Sequence, residues 1–306
     1  MHTVLWILAS LATAIVLTIA NITDSHILSK KLPSVSSYLL AMGVFQAISA
    51  GVVFAFFPFS AAADVTRIMA AIGGGLANAF ALVILLNCLQ KGEVSRVIPV
   101  TSSFPIFVAL LSMPLLGEIL NLWEWLAIFL TVTGAILISL QRDGTGQKTR
   151  LQKSFLLLLL AAFLFAVSNI GFKYAMDENT ISFWNTFSIN GICCAVVALL
   201  FSLRKSTLLE LKNLKQRTQK LGLIIGSQSI AALGITLSFV AISTGPVALV
   251  STIMNIRPAF VFLFSLILSR RYPNFINEPL KRSSILIKLI GIAMITGGVV
   301  IIGLSS

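Results

Sequence analysis

The stretch Leu89-Gln90-Lys91-Gly92-Glu93-Val94-Ser95-Arg96, running on to Phe104-Pro105-Ile106-Phe107, returns in altered form later in the chain. Its second copy is Ile242-Ser243-Thr244-Gly245-Pro246-Val247-Ala248-Leu249, running on to Arg257-Pro258-Ala259-Phe260. The register difference is 153 throughout, so that Gly92 meets Gly245, Pro105 meets Pro258 and Phe107 meets Phe260. Further on, Thr133-Gly134-Ala135-Ile136 aligns with Thr296-Gly297-Gly298-Val299, which places an insertion around 272–283. Earlier, Ala20-Asn21-Ile22 meets Ser168-Asn169-Ile170. Self-similarity at a fixed long period means two copies of one structural unit, and the halves are residues 1–145 and 150–306.

Composition says what kind of unit this is. Of 306 residues 57% are apolar and 10% charged, with mean hydropathy +0.99. A soluble domain carries about a quarter charged residues, so a soluble enzyme, a disordered tail and a disulfide scaffold are all excluded. The three cysteines, Cys88, Cys193 and Cys194, sit in apolar runs without metal-ligand spacing. The N-terminus lacks a signal peptide's basic region and cleavage site, so the first apolar run is expected to be a retained span. A bilayer core takes about 20 helical residues, and ten runs qualify: 4–23, 36–57, 67–89, 94–116, 121–140, 154–175, 182–203, 220–243, 246–269 and 285–304. Runs this long are helices, because barrel strands are about ten alternating residues. The expected fold is an all-α membrane protein of ten transmembrane helices in two five-helix repeats. An odd number of spans per repeat inserts the second upside down relative to the first, and inverted repeats with a midplane site between them are a transporter architecture.

The net charge of +12 sorts by side. All of the 22 Lys and Arg residues except Arg67, Lys173 and Arg257 lie in or beside the connections after spans one, three, five, seven and nine. The positive-inside rule makes those connections cytoplasmic and puts both termini outside, in a multi-pass protein of the cell (inner) membrane. The basic excess is a topology label, and no nucleic-acid partner is expected.

Leu89-x-Lys91-Gly92-x-Val94-Ser95, Pro99, Phe104-Pro105-Ile106-Phe107, Leu116-Gly117-Glu118 and Gly134 together resemble the EamA-type module of the drug/metabolite transporter superfamily. The resemblance covers both halves; the second departs where Arg270-Arg271 replace the Gly-Glu pair. It implies transport of small metabolites such as amino acids, nucleobases, sugars or their phosphates, often outward.

Arg257 is the sharpest candidate for a site. A centred Arg is costly in the bilayer and should face the bundle interior or a wet cavity. It lies between Asn255 and Pro258, whose missing N–H would free the carbonyl of Met254. It is read either as a cationic anchor, since Arg forks around carboxylate and phosphate, or as a buried Arg bonded to loosened carbonyls or a neighbouring amide. Its first-half counterpart is Phe104, so an anion site would be asymmetric. Intramembrane amides are plentiful; Gln46, Asn78, Asn169, Gln228 and Asn255 lie nearest the midplane and as a set could line a polar cavity, with interhelical hydrogen bonding the alternative. Trp184 could stack on a ligand or pack. Pro99, Pro105 and Pro258 are kink candidates, and Glu118, ending span four, is read as structural or gating. Ala71, Gly75 and Ala79, and Gly291 with Gly297-Gly298, mark close helix packing, within the monomer or at a dimer seam. Segment 206–219 suits either a short interfacial helix or a solvated basic loop.

Several chemistries find no residues. Gly144–Thr149 lacks phosphate-loop spacing. Asp24 and Glu124 fall at expected span edges and no carboxylate is centred in a span, which counts against a proton-driven exporter of organic cations. The only histidines, His2 and His26, lie near edges, and no catalytic constellation assembles. The chain is expected to be a secondary transporter without cofactor or metal, whose partners are a small polar solute and the bilayer, as a monomer or homodimer. The alternative is a flippase of a lipid- or polyprenyl-phosphate-linked substrate, followed by a membrane-embedded enzyme.

Overall fold

A computed structural model describes residues 2–30, 32, 34–59, 64–90, 100–139, 152–176, 181–213, 216–271 and 282–305. Its helices, in chain order, are α1 (His2–Lys30), α2 (Val35–Phe56), α3 (Val65–Gln90), α4 (Phe104–Leu116), α5 (Leu122–Ser139) and α6 (Gln152–Ala175). They continue as α7 (Phe183–Ser202), α8 (Lys205–Lys212), α9 (Arg217–Thr244), α10 (Val247–Met254), α11 (Arg257–Arg271) and α12 (Arg282–Ser305). Among the described residues eight stretches are long and apolar enough to cross a membrane; two shorter apolar helices, Phe104–Leu116 and Leu122–Ile138, fall where spans four and five are expected.

The helices pair across the two halves of the chain. The most extensive packing joins α5 to α12, α2 to α7, α3 to α6 and α1 to α9. Small residues set the closest crossings. A Cβ on Gly134 would stand 2.6 Å from the Gly291 carbonyl oxygen, and one on Gly291 would stand 2.7 Å from that of Gly134. With side chains removed from both, α5 and α12 approach backbone to backbone, where dispersion contacts are made without a hydrophobic driving force. The Ala71–Gly75–Ala79 stripe is spent inside the chain: Ala71 and Ala79 are buried, and Gly75 lies against Cys193 and Asn190 of α7.

Two expectations are corrected. Span nine is not one helix: α10 ends at Met254 and α11 begins at Arg257, with a turn at 255–256. Span one does not end at residue 23, because α1 runs on to Lys30 and carries Asp24 inside the packed part of the bundle. The polar letters of Asn21-Ile22-Thr23-Asp24-Ser25-His26 read as an edge, yet helix continues through them: Thr23 bonds back to the Ile19 carbonyl, and α2 and α9 supply partners for Asp24.

Contacts between helix ends sort by face. Asn185 Nδ2 donates to the Phe57 carbonyl (2.7 Å), Arg67 to the Tyr174 carbonyl (3.2 Å), and Lys173 Nζ to the carbonyls of Ile242 (2.8 Å), Ser243 (3.2 Å) and Gly245 (2.8 Å). Glu118 follows Gly117, whose φ of 69° ends α4 in the left-handed conformation that Gly adopts without strain. The Glu118 carboxylate accepts from the Val247 (2.6 Å) and Ala248 (3.3 Å) N–H groups, capping α10 where the helix dipole favours an anion. On the other face Glu210 of α8 accepts from Ser34 (2.6 Å) and Ser37 (2.7 Å) at the start of α2. Segment 206–219 is thus helical over its first part, with Leu208 and Leu209 exposed.

Candidate functional site

The two copies of the repeated stretch break their helices at the same place. In the second half the Ile256 N–H donates to the Ile253 carbonyl (3.1 Å) and the Ala259 N–H to the Ile256 carbonyl (2.9 Å). In the first half Ser103 donates to Val100 (3.2 Å) and Ile106 to Ser103 (3.1 Å). Each pair is the other shifted by 153. The three-residue spacing replaces the four-residue helical ladder, and a new helix starts at Phe104 in one copy and Arg257 in the other. Pro105 and Pro258 are each the second residue of that new helix. They are not kinks within a continuous span: in the first turn the N–H has no helical partner to lose, and proline's fixed φ suits the start.

The two breaks touch. Asn255 Nδ2 donates to the Ser102 carbonyl at 2.7 Å, and both residues are buried. Because 102 and 255 are equivalent positions, each break meets its own counterpart. Beside this pin, Asn169 Nδ2 of α6 donates to Ser251 Oγ of α10 at 3.2 Å. Arg257 follows two residues after Asn255. Its side chain is partly buried, and its Nε is fully buried with no hydrogen-bond partner. Among the described residues the only ion pair is Arg67 with Asp64, so no carboxylate there neutralises Arg257. A buried guanidinium N–H left unpaired costs stability unless something supplies an acceptor.

The remaining candidates fall into separate groups. Asn78 Nδ2 of α3 donates to Asn190 Oδ1 of α7 at 3.0 Å, an interhelical clamp. Gln46 is buried on α2 where it faces Gly191 of α7. Gln228 Nε2 of α9 donates to the Tyr38 hydroxyl of α2 at 2.7 Å. Trp184 is the second residue of α7, stacked on Phe57 with ring centroids 4.9 Å apart. Of the amides singled out by depth, Asn169 and Asn255 thus sit by the helix break, and the others join helices elsewhere. Pro99 lies outside the described residues.

Three polar features have no counterpart in the sequence reading. Asp24 of α1 accepts a short hydrogen bond from Ser227 Oγ of α9, and Tyr38 is turned to the same carboxylate. Lys173 closes the last carbonyls of α9, as described above. Lys288 is buried with its Nζ 4.7 Å from the centre of the Phe262 ring, so Arg257 is not the one buried cation. No sequence pattern marks Lys173 or Lys288; both read as flanking charges. Asp24 has a signal, since Ala20, Asp24 and Ile27 share one helical face whose other members are buried.

Similarity to known proteins now bears on this geometry. A solved crystal structure superposes with TM-score 0.67 at 13% identity, covering 97% of this chain and 95% of that chain, which establishes a shared fold and no more. No curated protein matches. Residues 3–140 match the model of the EamA-like transporter family. That match and the apolar helices together make this a multi-pass membrane protein whose residues 3–140 are similar to the EamA-like transporter family.

Proposed function

We propose that the chain is a ten-span secondary transporter working by alternating access between two inverted five-helix halves, 1–145 and 150–306, and that Arg257 holds the carboxylate or phosphate of a small polar solute. The packing supports the inverted pairing. Exchanging the halves maps α1 on α9 onto α6 on α3, and maps α2–α7 and α5–α12 onto themselves. Two near-equivalent halves can exchange shapes, which keeps inward-open and outward-open states close in energy. The charge asymmetry supports an inner-membrane protein with both termini on the non-cytoplasmic side, and every tie between helix ends joins ends that this topology puts on one face.

One observation carries the solute chemistry: the Arg257 Nε is buried and unpartnered at a helix break where backbone and amide groups already converge. Arg recognises planar oxyanions with two parallel N–H donors, and an arriving carboxylate or phosphate supplies the missing acceptor. Asn255, Asn169 and Ser251 provide neutral polar groups within the same few turns. The test is counterflow in reconstituted vesicles, with labelled succinate, glutamate and glucose 6-phosphate as probes and a quaternary ammonium as control. At least one anion is exchanged by the wild type, and an Arg257→Ala protein that folds and inserts does not exchange it. Undiminished exchange by that variant would remove Arg257 from the mechanism. Turnover of a lipid-linked substrate without solute movement would instead favour a flippase.

A further inference from the structure

The Asp24 junction is not absorbed by the anion reading. Three helices meet there: α1 contributes Asp24, α2 contributes Tyr38, and α9 contributes Ser227 and Gln228. The first two helices belong to the first half of the chain and the third to the second half. Gln228 Nε2 donates to the Tyr38 hydroxyl oxygen, which leaves the Tyr38 hydrogen free to turn toward the Asp24 carboxylate. Ser227 Oγ lies within reach of two acceptors, Asp24 Oδ1 and the Ala20 carbonyl oxygen at 3.4 Å. A hydroxyl has one hydrogen, so it serves one of them at a time.

That last fact gives the junction two complete hydrogen-bond arrangements. With Asp24 ionised, Ser227 and Tyr38 both donate to the carboxylate. With Asp24 protonated, its new O–H donates to Ser227 Oγ and the Ser227 hydrogen turns to the Ala20 carbonyl. Neither state leaves a buried donor unpaired, and no heavy atom has to move. No cationic side chain pairs with Asp24 among the described residues. The groups facing it are Tyr38, the only ionisable residue of α2, and from α9 the non-titrating Ser227 and Gln228; the next ionisable residues along α1 and α9 are His26 and Lys220. A metal cation fits poorly, since the Ser227 and Tyr38 hydroxyls are arranged as donors toward the carboxylate and the Gln228 amide donates to Tyr38.

We propose that Asp24, held by Ser227, Tyr38 and Gln228 between α1, α2 and α9, is a proton site whose loading and unloading is coupled to movement of the two halves. The coupling, though not the proton site, rests on the transport reading. A proton from water on one face forms the Asp24 O–H bond and leaves as that bond breaks on the other; no solute bond changes and no oxidant is needed. The site exists once. The register that pairs Asn21 with Asn169 puts Phe172 opposite Asp24 in the repeat, and Phe172 is buried against Phe239 with ring centroids 5.0 Å apart. The bilayer tolerates such a carboxylate only at an internal, partnered position, which is where proton relays are found.

Two measurements on the full-length protein test this. In infrared difference spectra between mildly acidic and neutral buffer, the wild type shows a carboxyl C=O stretch that Asp24→Asn lacks and whose frequency Ser227→Ala shifts. Spectra unchanged by Asp24→Asn overturn the proposal whatever the protein transports. In vesicles with labelled succinate as probe, a pH gradient drives uphill accumulation by the wild type. Asp24→Asn and Asp24→Glu retain exchange at equal pH, and Asp24→Asn loses the gradient-driven accumulation. Equal accumulation by Asp24→Asn overturns the coupling. No movement of labelled succinate, glutamate or glucose 6-phosphate by the wild type counts against the anion reading alone, and the infrared measurement then decides the proton site.

Discussion

The two helix breaks are one backbone design with two chemistries. Ser102-Ser103-Phe104-Pro105 and Asn255-Ile256-Arg257-Pro258 make the same pair of three-residue hydrogen bonds, and a proline sits second in the helix that follows each. Their side chains differ at the positions proposed to bind solute. One copy places Phe104 and offers only a backbone carbonyl at position 102; the other places Arg257 and offers the Asn255 amide. The repeat therefore supplies the backbone geometry twice, and the departure from the repeat supplies a charged side chain once. In the proposed transport cycle the symmetric scaffold alternates between faces while that single charge holds one solute molecule at a time.

This asymmetry can be broken from either side. The largest effect is expected at the charged copy: Arg257→Ala should lower anion exchange by roughly a hundredfold, since losing one partner of a desolvated charge pair costs about 2–5 kcal/mol. Phe104→Ala, at the equivalent position, should leave exchange within about tenfold, a loss confined to packing near 1.4 kcal/mol or less. Counterflow rates of the two variants side by side measure the difference. Next comes the pin. Asn255→Leu removes the donor and leaves the Ser102 carbonyl buried, which costs about 1–3 kcal/mol in a denaturation measurement. Ser102→Ala keeps that carbonyl and should be nearly neutral. Equal costs for the two would contradict the pin.

Smaller again are the prolines. Because both start helices, Pro105→Ala and Pro258→Ala should each change stability by less than about 1 kcal/mol; a loss near 3 kcal/mol would return them to the interior of a continuous helix. The smallest effect lies at the rim. Hydrogen bonds from Ser34 and Ser37 hold the Glu210 carboxyl below the usual carboxylate range. A group depressed in the folded state adds stability above its unfolded value of about 4.3, and loses it as pH falls through the folded value. The wild type should therefore lose slightly more thermal stability than Glu210→Gln on acidification through this range, with no difference at neutral pH.

The all-helical, membrane-spanning class is readable from the letters, because bilayer thickness turns hydropathy into long apolar helices. The match over residues 3–140 agrees with the resemblance carried by the first copy of the motif. What escaped were features set by neighbours. The letters end α1 too early because Asp24 looks like a solvent signal, whereas Ser227, 203 positions further on, donates to its carboxylate. The break at 255–256 reads as a kink because Pro258 is visible in the sequence and the turn before it is not. The amides Asn78 and Asn169 look alike in one dimension; only packing shows that the first clamps α3 to α7 and the second lies beside the break.

The account turns on whether the buried, unpartnered Nε of Arg257 is reserved for an anion. Isothermal titration of the purified protein with the anion it exchanges, compared between wild type, Arg257→Lys and Arg257→Gln of matched melting temperature, measures this directly. The account predicts clear binding by the wild type, weaker binding by Arg257→Lys because a point charge lacks the guanidinium fork, and none by Arg257→Gln. Wild-type affinity in Arg257→Gln would contradict it.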